Sequence, residues 1–148
     1  MFNALVSDQV AVVGRIKPDA TTANTYTSGW ISLATYGALL AVIMAGDLGS
    51  SATVDAKFQQ AKDGAGTGAK DVTGKAITQM TQGGTDKSNK DALLNIRAEE
   101  IDRPGGFTHV RLSVTVATAT SDLAAIILGI NARYGPPTQG ASVDQTVA

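Results

Sequence analysis

The chain has no cysteine, a single histidine, one tryptophan, three tyrosines and three phenylalanines among its 148 residues. The absence of cysteine excludes disulfide bridges and thiolate metal sites, and it fits synthesis in a reducing compartment. The scarcity of aromatic residues argues against a surface that stacks nucleic-acid bases. Twelve basic and thirteen acidic residues give a formal net charge of −1, which provides no field to attract nucleic acid or anionic membranes. We therefore expect neither kind of partner.

Long hydrophobic runs are also absent. The longest, Ala38 to Ala45, has eight residues, whereas a membrane-spanning helix needs about twenty. The first ten residues, MFNALVSDQV, have no basic leader and include Asp8, which argues against a signal peptide. A hydrophobic content of 43% and a charged content of 17% are typical of a globular chain. The length suits one domain with a single core.

Alternating and apolar segments predict β-strands. Alternation occurs in TVDAKFQQ (53–60), LLNIRAE (93–99) and HVRLSVTVAT (109–118), and KAITQMT (75–81) is a further predicted strand. Three runs that are apolar almost throughout predict central strands covered on both faces: GWISLATY (29–36), ALLAVIMA (38–45) and LAAIILGI (123–130). A buried helix stays open for such short runs, because Ala and Leu favour helices. Turn residues separate these segments. We predict an all-β, antiparallel β-sandwich that resembles a jelly roll, as a single domain with extended terminal arms. The sandwich would span 10–135, with arms at 1–9 and 136–148.

A glycine-rich segment, AKDGAGTGAKDVTGKAIT (61–78), invites comparison with phosphate-binding loops. In the P-loop pattern four residues separate the two glycines, and a serine or threonine follows the lysine. Here five residues separate Gly68 from Gly74, and Ala76 follows Lys75. We predict a connecting loop in which glycines permit tight turns, without nucleotide affinity.

Catalytic or metal-binding groupings are weak. His109 lies on the polar side of a predicted strand, which already explains its position. Glu99 and Glu100, adjacent in a predicted strand, would point to opposite faces, whereas Glu100 and Asp102 would share one. The carboxylates Asp55, Asp63 and Asp71 lack the spacing of a calcium loop, and Lys57, Lys62, Lys70 and Lys75 are interleaved with them. We predict no catalytic, cofactor or metal site.

A series of motifs carries a family resemblance. It begins with Thr25, Tyr26, Trp30 and Leu33, and continues with ATVDAKFQQAKD (52–63), GTGAKDVTGKAITQ (66–79), LNIRAEEID (94–102), the strand that starts at Phe107, and ATSDLAAIILG, which ends before Arg133 and Tyr134. This series, over about residues 25 to 137, resembles the small β-sandwich proteins encoded beside major capsid proteins in tailed phages and prophages. These serve as head decoration (cement) proteins or related head proteins.

The resemblance implies a structural virion protein that binds and stabilises the assembled phage head, with no enzymatic activity. Its partners would be the major capsid protein of a tailed phage and further copies of itself, with a trimer favoured by the three-fold positions of a capsid. It would be located on the head surface after assembly in the host cytoplasm. Because Phe2, Leu5 and Val6 are apolar residues of the expected N-terminal arm, we predict that they contact the capsid.

Two other functions stay open. A carbohydrate-binding β-sandwich module on a phage surface would use Trp30 or Tyr26 as a platform for a sugar ring, although the surroundings of Trp30 also suit a core or interface residue. A small-molecule hydrolase would depend on the carboxylates Glu100 and Asp102.

Overall fold

Ten β-strands form two antiparallel sheets in the computed structural model, which describes residues 5–147. The strands are β1 (Val10–Thr21), β2 (Asn24–Thr27), β3 (Ile31–Ser32), β4 (Tyr36–Ala45), β5 (Thr53–Ala61), β6 (Lys70–Ala76), β7 (Met80–Thr81), β8 (Asp91–Arg97), β9 (His109–Ala117) and β10 (Ser121–Ala132). A 3-10 helix, Val6–Asp8, precedes β1. Among residues 5–147, no helix is long and apolar enough to cross a membrane. The all-β prediction is confirmed.

The strand order is that of a jelly roll. The four-stranded sheet has the order β1-β10-β4-β8, and the six-stranded sheet has the order β2-β9-β5-β6. In the six-stranded sheet β3 also pairs with β9, and β7 also pairs with β5, so each of these short strands extends an edge. Counting β2 with β3 and β6 with β7 leaves eight positions, four in each sheet. The chain passes from one sheet to the other at every step except that from β5 to β6, as in a double Greek key. The antiparallel, jelly-roll-like sandwich is therefore confirmed.

Alternation along β5 and β9 builds one wall of the core. Phe58 lies opposite Leu112 in the register of this pair, and both side chains are fully buried. From the four-stranded sheet, Leu39, Ile43 and Ile127 enter the same core. Burial of side chains of this size stabilises the fold by about 1.5–3 kcal/mol each. The strand predictions for 53–60 and 109–118 are confirmed by this register.

Two predicted strands differ in extent. In the apolar run 29–36 only Ile31 and Ser32 are in a strand, and Tyr36 already begins β4. Leu33 is nevertheless fully buried, because its side chain joins the core from a turn while its N–H donates to the C=O of Thr108 at 3.0 Å. The run is apolar because it anchors a turn to the core. The strand predicted over 75–81 is divided between the end of β6 and β7.

Strand β8 ends at Arg97 rather than at residue 99. The chain then turns, since the N–H of Glu100 donates to the C=O of Arg97 at 3.0 Å. The prediction that Glu99 and Glu100 lie in a strand is therefore wrong, and with it the idea that Glu100 and Asp102 share a strand face. Both belong to the connection between β8 and β9.

The segments on either side of the sandwich meet at the edge of β1. Gln139 donates from Nε2 to the C=O groups of Ser7 and Val10 at 3.0 and 2.9 Å. The N–H of Gly140 donates to the C=O of Val12 at 2.7 Å. The described parts of the two expected arms are therefore attached to each other and to β1.

Candidate interaction surface

Apolar side chains cover the middle of the outer surface of the four-stranded sheet, and polar residues of β1 and β8 border them. Along β4 and β10 one set of side chains is buried in the core, and the alternate set points outward and is partly exposed. We define the apolar face by the outward-pointing residues Val10, Val12, Ala38, Leu40, Val42, Met44, Leu93, Ala124, Ile126, Leu128 and Ile130. Met44 is 41% exposed and Leu93 is 63% exposed. The prediction that the apolar runs 38–45 and 123–130 form strands covered on both faces is therefore wrong for the part of the chain that the structure describes.

The register places these side chains in rows of three, and each row meets a polar residue at one end: Arg97 opposite Ala38, Asn95 opposite Leu40, and Arg15 opposite Ile126. Ile126 lies opposite Val42 in the pairing of β10 with β4, and Val42 lies opposite Leu93 in the pairing of β4 with β8. Leu128 lies between Leu40 and Val12 in the same way. Side chains directly opposite each other on one face are about 4.5–5.5 Å apart at Cβ. The apolar residues therefore form one patch rather than scattered contacts.

The outer surface of the six-stranded sheet is polar, and its side chains pair with one another. Arg111 Nε donates to Gln59 Oε1 at 3.0 Å, and Gln59 Nε2 donates to Asp71 Oδ1 at 3.0 Å. The second carboxylate oxygen of Asp71 binds Lys57 Nζ at 2.7 Å. On the same surface Thr25 and Thr115 hydroxyls are 2.9 Å apart. The sandwich thus has one surface suited to water and one suited to another apolar surface.

Two of the three predicted capsid-contact residues, Leu5 and Val6, lie just before edge strand β1, and their contact with a capsid stays a prediction. Leu5 is 44% exposed and Val6 is 77% exposed, next to the start of edge strand β1. Phe2 lies outside the described residues. Val143 of the C-terminal segment borders the β1 side of the apolar face, where it lines a cavity of about 270 Å³ together with Ile126 and Met44. Both terminal segments therefore lie at the β1 edge of the four-stranded sheet.

The glycine-rich loop is closed upon itself by Asp63. One oxygen of this carboxylate accepts the N–H groups of Ala65 and Thr67 at 2.9 and 3.0 Å. Hydrogen bonds from Thr67 lower the pKa of Asp63. A phosphate-binding loop would direct such N–H groups at a ligand, whereas here they surround an anion supplied by the chain. This geometry gives a physical reason for the predicted lack of nucleotide affinity, which stays a prediction.

The lysines near this loop are engaged by carboxylates or by an aromatic ring. Lys57 pairs with Asp71, and Lys70 Nζ lies 2.8 Å from Asp102 Oδ2 and 4.2 Å from the ring centre of Phe107. Lys75 Nζ lies 2.8 Å from Glu100 Oε2. The fourth, Lys62, lies 5.9 Å from the same ring centre.

Trp30 is packed between neighbouring groups. The guanidinium carbon of Arg111 lies 4.5 Å from the centre of its ring, within the range of a cation–π contact. Gly66 approaches so closely that an added Cβ would lie 2.7 Å from Trp30 Nε1. This arrangement explains one glycine of the loop and argues against Trp30 as an open platform for a sugar. Tyr26 instead lines a groove between β1 and β2.

The remaining candidate side chains are held in separate contacts. Asp102 accepts the N–H of Gly105 at 3.0 Å in addition to pairing with Lys70, and Glu100 accepts the N–H of Arg97 at 2.7 Å in addition to Lys75. Hydrogen bonds from these two lysines lower the pKa of each carboxyl group. His109 Nδ1 is 2.8 Å from the Thr108 hydroxyl. Within residues 5–147, no three histidine, aspartate or glutamate side chains are grouped to hold a metal ion.

Sequence reasoning missed the apolar face as a site. The signal was present, because the runs 38–45 and 123–130 are apolar at odd-numbered and even-numbered positions alike. An antiparallel sandwich covers only one face of each sheet. Apolar residues at the outward-pointing positions therefore indicate a surface that needs a partner.

No family model matches the chain, and no curated protein matches it. Among solved structures, a chain of broad bean stain virus is 9% identical with a TM-score of 0.48, covering 99% of this chain and 96% of its own. A chain of a cowpea mosaic virus empty virus-like particle is 15% identical with a TM-score of 0.40, covering 93% of this chain and 91% of its own. A chain of naturally occurring empty cowpea mosaic virus particles is 11% identical with the same TM-score, covering 93% and 97%. Likenesses with TM-scores below 0.5 are too distant to assign a function.

Proposed function

We propose that this protein is a structural virion protein, a decoration (cement) protein that binds the assembled head of a tailed phage. The observation that carries the proposal is the apolar face, an unpaired hydrophobic surface opposite a polar one. Exposed apolar patches of this kind mark sites of protein interaction. The jelly roll alone would not carry it, because the same fold hosts unrelated functions. The sequence resemblance to head proteins supplies the partner, the major capsid protein.

The size of the apolar face favours an assembly of several copies. Four strands about 4.8 Å apart, each about seven residues long at about 3.4 Å per residue, give an area on the order of 450 Å². A stable interface buries about 800 Å² per partner. One copy would therefore bind a capsid weakly, whereas copies joined in one oligomer would bind through effective concentration. A trimer at the three-fold positions of the lattice satisfies this requirement.

Binding of this kind stabilises the shell by mass action. A protein that binds the assembled, expanded lattice and not its separated subunits shifts the equilibrium toward the lattice. The protein would be located on the outside of the phage head, after assembly in the host cytoplasm. Leu5 and Val6 lie beside β1 and are exposed, so they would add contacts at the rim of the apolar face.

The test uses expanded, empty heads of the phage that encodes the protein. The full chain is mixed with heads, the heads are sedimented, and the bound fraction is measured over a range of concentrations. Leu93→Glu places a charge in the apolar face, and we expect it to weaken binding at least about tenfold, because the carboxylate would lose its water in the interface.

A matched control introduces the same charge on the other sheet. Thr73 is exposed on β6, and Thr73→Glu should bind heads as the unchanged protein does. If the unchanged protein fails to bind heads, the decoration proposal is wrong. If Leu93→Glu and Thr73→Glu bind equally well, the protein can still decorate heads, but the apolar face is not the contact.

A further inference from the structure

A groove lies between β1, an edge strand of the four-stranded sheet, and β2, an edge strand of the six-stranded sheet. We define the β1–β2 groove by its lining residues Arg15, Lys17, Asp19, Thr22, Tyr26 and Thr27. Its volume is about 530 Å³, within the range of about 300–1,000 Å³ typical of ligand sites. It lies at the β1–β2 side of the sandwich, so its position is separate from the polar surface formed by β5, β6 and β9.

The charged side chains of the groove are not neutralised by each other. Within residues 5–147, neither Arg15 nor Lys17 has a carboxylate within ion-pair distance, although Asp19 lines the same groove. The lysines on β5 and β6 differ, since Lys57 and Lys75 each pair with a carboxylate. Arg15 and Lys17 thus line the groove without a carboxylate partner, although Arg15 lies opposite Ile126 and also borders the apolar face. Asp19 Oδ1 accepts the N–H of Ala20 at 2.8 Å, which leaves Asp19 Oδ2 for a ligand.

Hydroxyl groups line the same groove in a fixed arrangement. The Tyr26 hydroxyl donates to the C=O of Thr22 at 3.1 Å and lies 3.1 Å from the Thr22 hydroxyl. The Tyr26 side chain also packs against the hydrophobic core. The ring is therefore held in place, which lowers the entropy lost when a ligand binds beside it.

We propose that the β1–β2 groove binds a carboxylated sugar residue. The planar guanidinium of Arg15 suits a bidentate contact with a carboxylate, and Lys17 adds a second positive charge. The Asp19 carboxylate accepts hydrogen bonds from sugar hydroxyls, and Thr22 and Thr27 can donate or accept them. A ligand with several carboxylates, such as an acidic peptide, would be repelled by Asp19. The combination therefore suits one negative charge surrounded by hydroxyl groups, and it does not depend on binding to phage heads.

The test titrates the ¹⁵N-labelled full chain with four probes and follows amide chemical shifts. The probes are D-glucuronic acid, N-acetylneuraminic acid, D-glucose and acetate. We expect saturable shifts in β1 and β2 with at least one sugar acid, and at least about tenfold weaker binding of glucose and of acetate. The double variant Arg15→Gln, Lys17→Gln should reduce binding of the sugar acid to the level of glucose, with an unchanged melting temperature.

A control variant removes the same charge elsewhere. Lys87 and Lys90 are exposed, and Lys87→Gln, Lys90→Gln should bind the sugar acid as the unchanged protein does. Failure of both sugar acids to saturate any shift at about 50 mM overturns the proposal. Equal affinity for acetate would identify a general anion site instead. Equal weakening by both double variants would show that net charge, and not the groove, is responsible.

Discussion

The side chain of Gln139 occupies the outer edge of strand β1 at Val12, where its Oε1 accepts the Val12 N–H at 2.9 Å. The C=O of Val12 accepts the N–H of Gly140 at 2.7 Å. With the two bonds from Gln139 Nε2 to Ser7 and Val10, four hydrogen bonds join the C-terminal segment to the beginning of the sandwich. An unprotected edge strand would offer these groups to another chain. Here the C-terminal segment covers the first part of this edge, at Val10 and Val12.

Substitution of Gln139 tests this attachment. Gln139→Ala removes three hydrogen bonds to backbone groups in a partly buried position, and we expect a loss of about 2–3 kcal/mol in the free energy of unfolding. Urea unfolding followed by circular dichroism measures it. Gln145 is exposed, and its side chain contacts Asp144 at 3.5 Å, so Gln145→Ala should change stability by less than about 0.5 kcal/mol. If Gln139→Ala lowers the free energy of unfolding as little as Gln145→Ala does, the contact of Gln139 with β1 contributes little to stability.

Adjacent residues on β9 test the strand register. Leu112 is fully buried, and Leu112→Ala should cost about 2–5 kcal/mol as a large-to-small change in the core. Arg111 points to the other side, where it bonds Gln59 and stacks on Trp30. Loss of one hydrogen bond and one cation–π contact should cost about 1–2 kcal/mol in Arg111→Ala. A larger cost for Arg111→Ala than for Leu112→Ala in urea unfolding would contradict the register.

Gly66 is expected to tolerate no side chain. Its φ is +88°, and an added Cβ would lie 2.7 Å from Trp30 Nε1. Gly66→Ala should therefore destabilise the protein by about 1–3 kcal/mol. It should also shift the fluorescence of Trp30, the chain's single tryptophan. Gly83 has open space around it, and Gly83→Ala should leave both the emission maximum and the unfolding midpoint close to those of the unchanged protein.

Stability should fall in acid through the paired carboxylates. Hydrogen bonds from Lys75 lower the pKa of Glu100 in the folded protein, and hydrogen bonds from Lys57 lower that of Asp71. A carboxyl group with a lowered folded pKa stabilises the fold above its unfolded pKa, about 4. That contribution is lost as the pH falls through the folded pKa. The urea midpoint should therefore decrease between about pH 5 and pH 2.

A lysine variant separates one pair from the general effect of acid. Lys75→Met removes the partner of Glu100, whose carboxylate is partly exposed. We expect the unfolding free energy at pH 7 to fall by about 1 kcal/mol or less, because the pair is partly screened by water. The further decrease on acidification should be smaller than in the unchanged protein. An identical pH dependence would show that this pair does not contribute.

Removal of residues 1–6 tests the proposed contact of the N-terminal segment. Leu5 and Val6 are exposed, so their removal should leave the melting temperature nearly unchanged. Burial of such side chains in an interface recovers about 1.5–3 kcal/mol each, against about 1–2 kcal/mol per residue for ordering the backbone. Occupancy on expanded heads should therefore decrease moderately. A clear loss of melting temperature would show that the segment stabilises the sandwich itself.

Regular strands could be predicted from the sequence, and irregular ones could not. Strands β5 and β9 alternate without interruption, and their apolar residues gave the correct inward face. Strand β1 was not identified as a strand, because its pairing with β10 shifts register twice, between Val12 and Gly14 and between Ile16 and Asp19. Each extra residue at a bulge reverses the alternation. Gly14 and Pro18 also resemble turn residues, although both lie within β1.

The candidate surfaces depend on which strands become neighbours. The apolar face joins side chains from positions as distant as Val12, Leu40 and Leu128, and no local pattern places these in one row. The same holds for the β1–β2 groove, where Arg15 and Tyr26 come from different sheets. Trp30 was considered as a sugar platform from its residue type and its local sequence, whereas its neighbours Gly66 and Arg111 are set by tertiary contacts.

The position of β10 between β1 and β4 has a kinetic consequence. The register joins Val10 to Ile130 and Ala45 to Leu123, so each of these pairings closes a loop of many tens of residues. During synthesis β1 emerges long before its neighbour β10, and β4, which pairs with β8 on its other side, lacks one of its two neighbours until β10 arrives. Domains dominated by such distant pairings fold in milliseconds to seconds rather than microseconds. The four-stranded sheet therefore forms late, and its unpaired strands pass through a period in which they can aggregate.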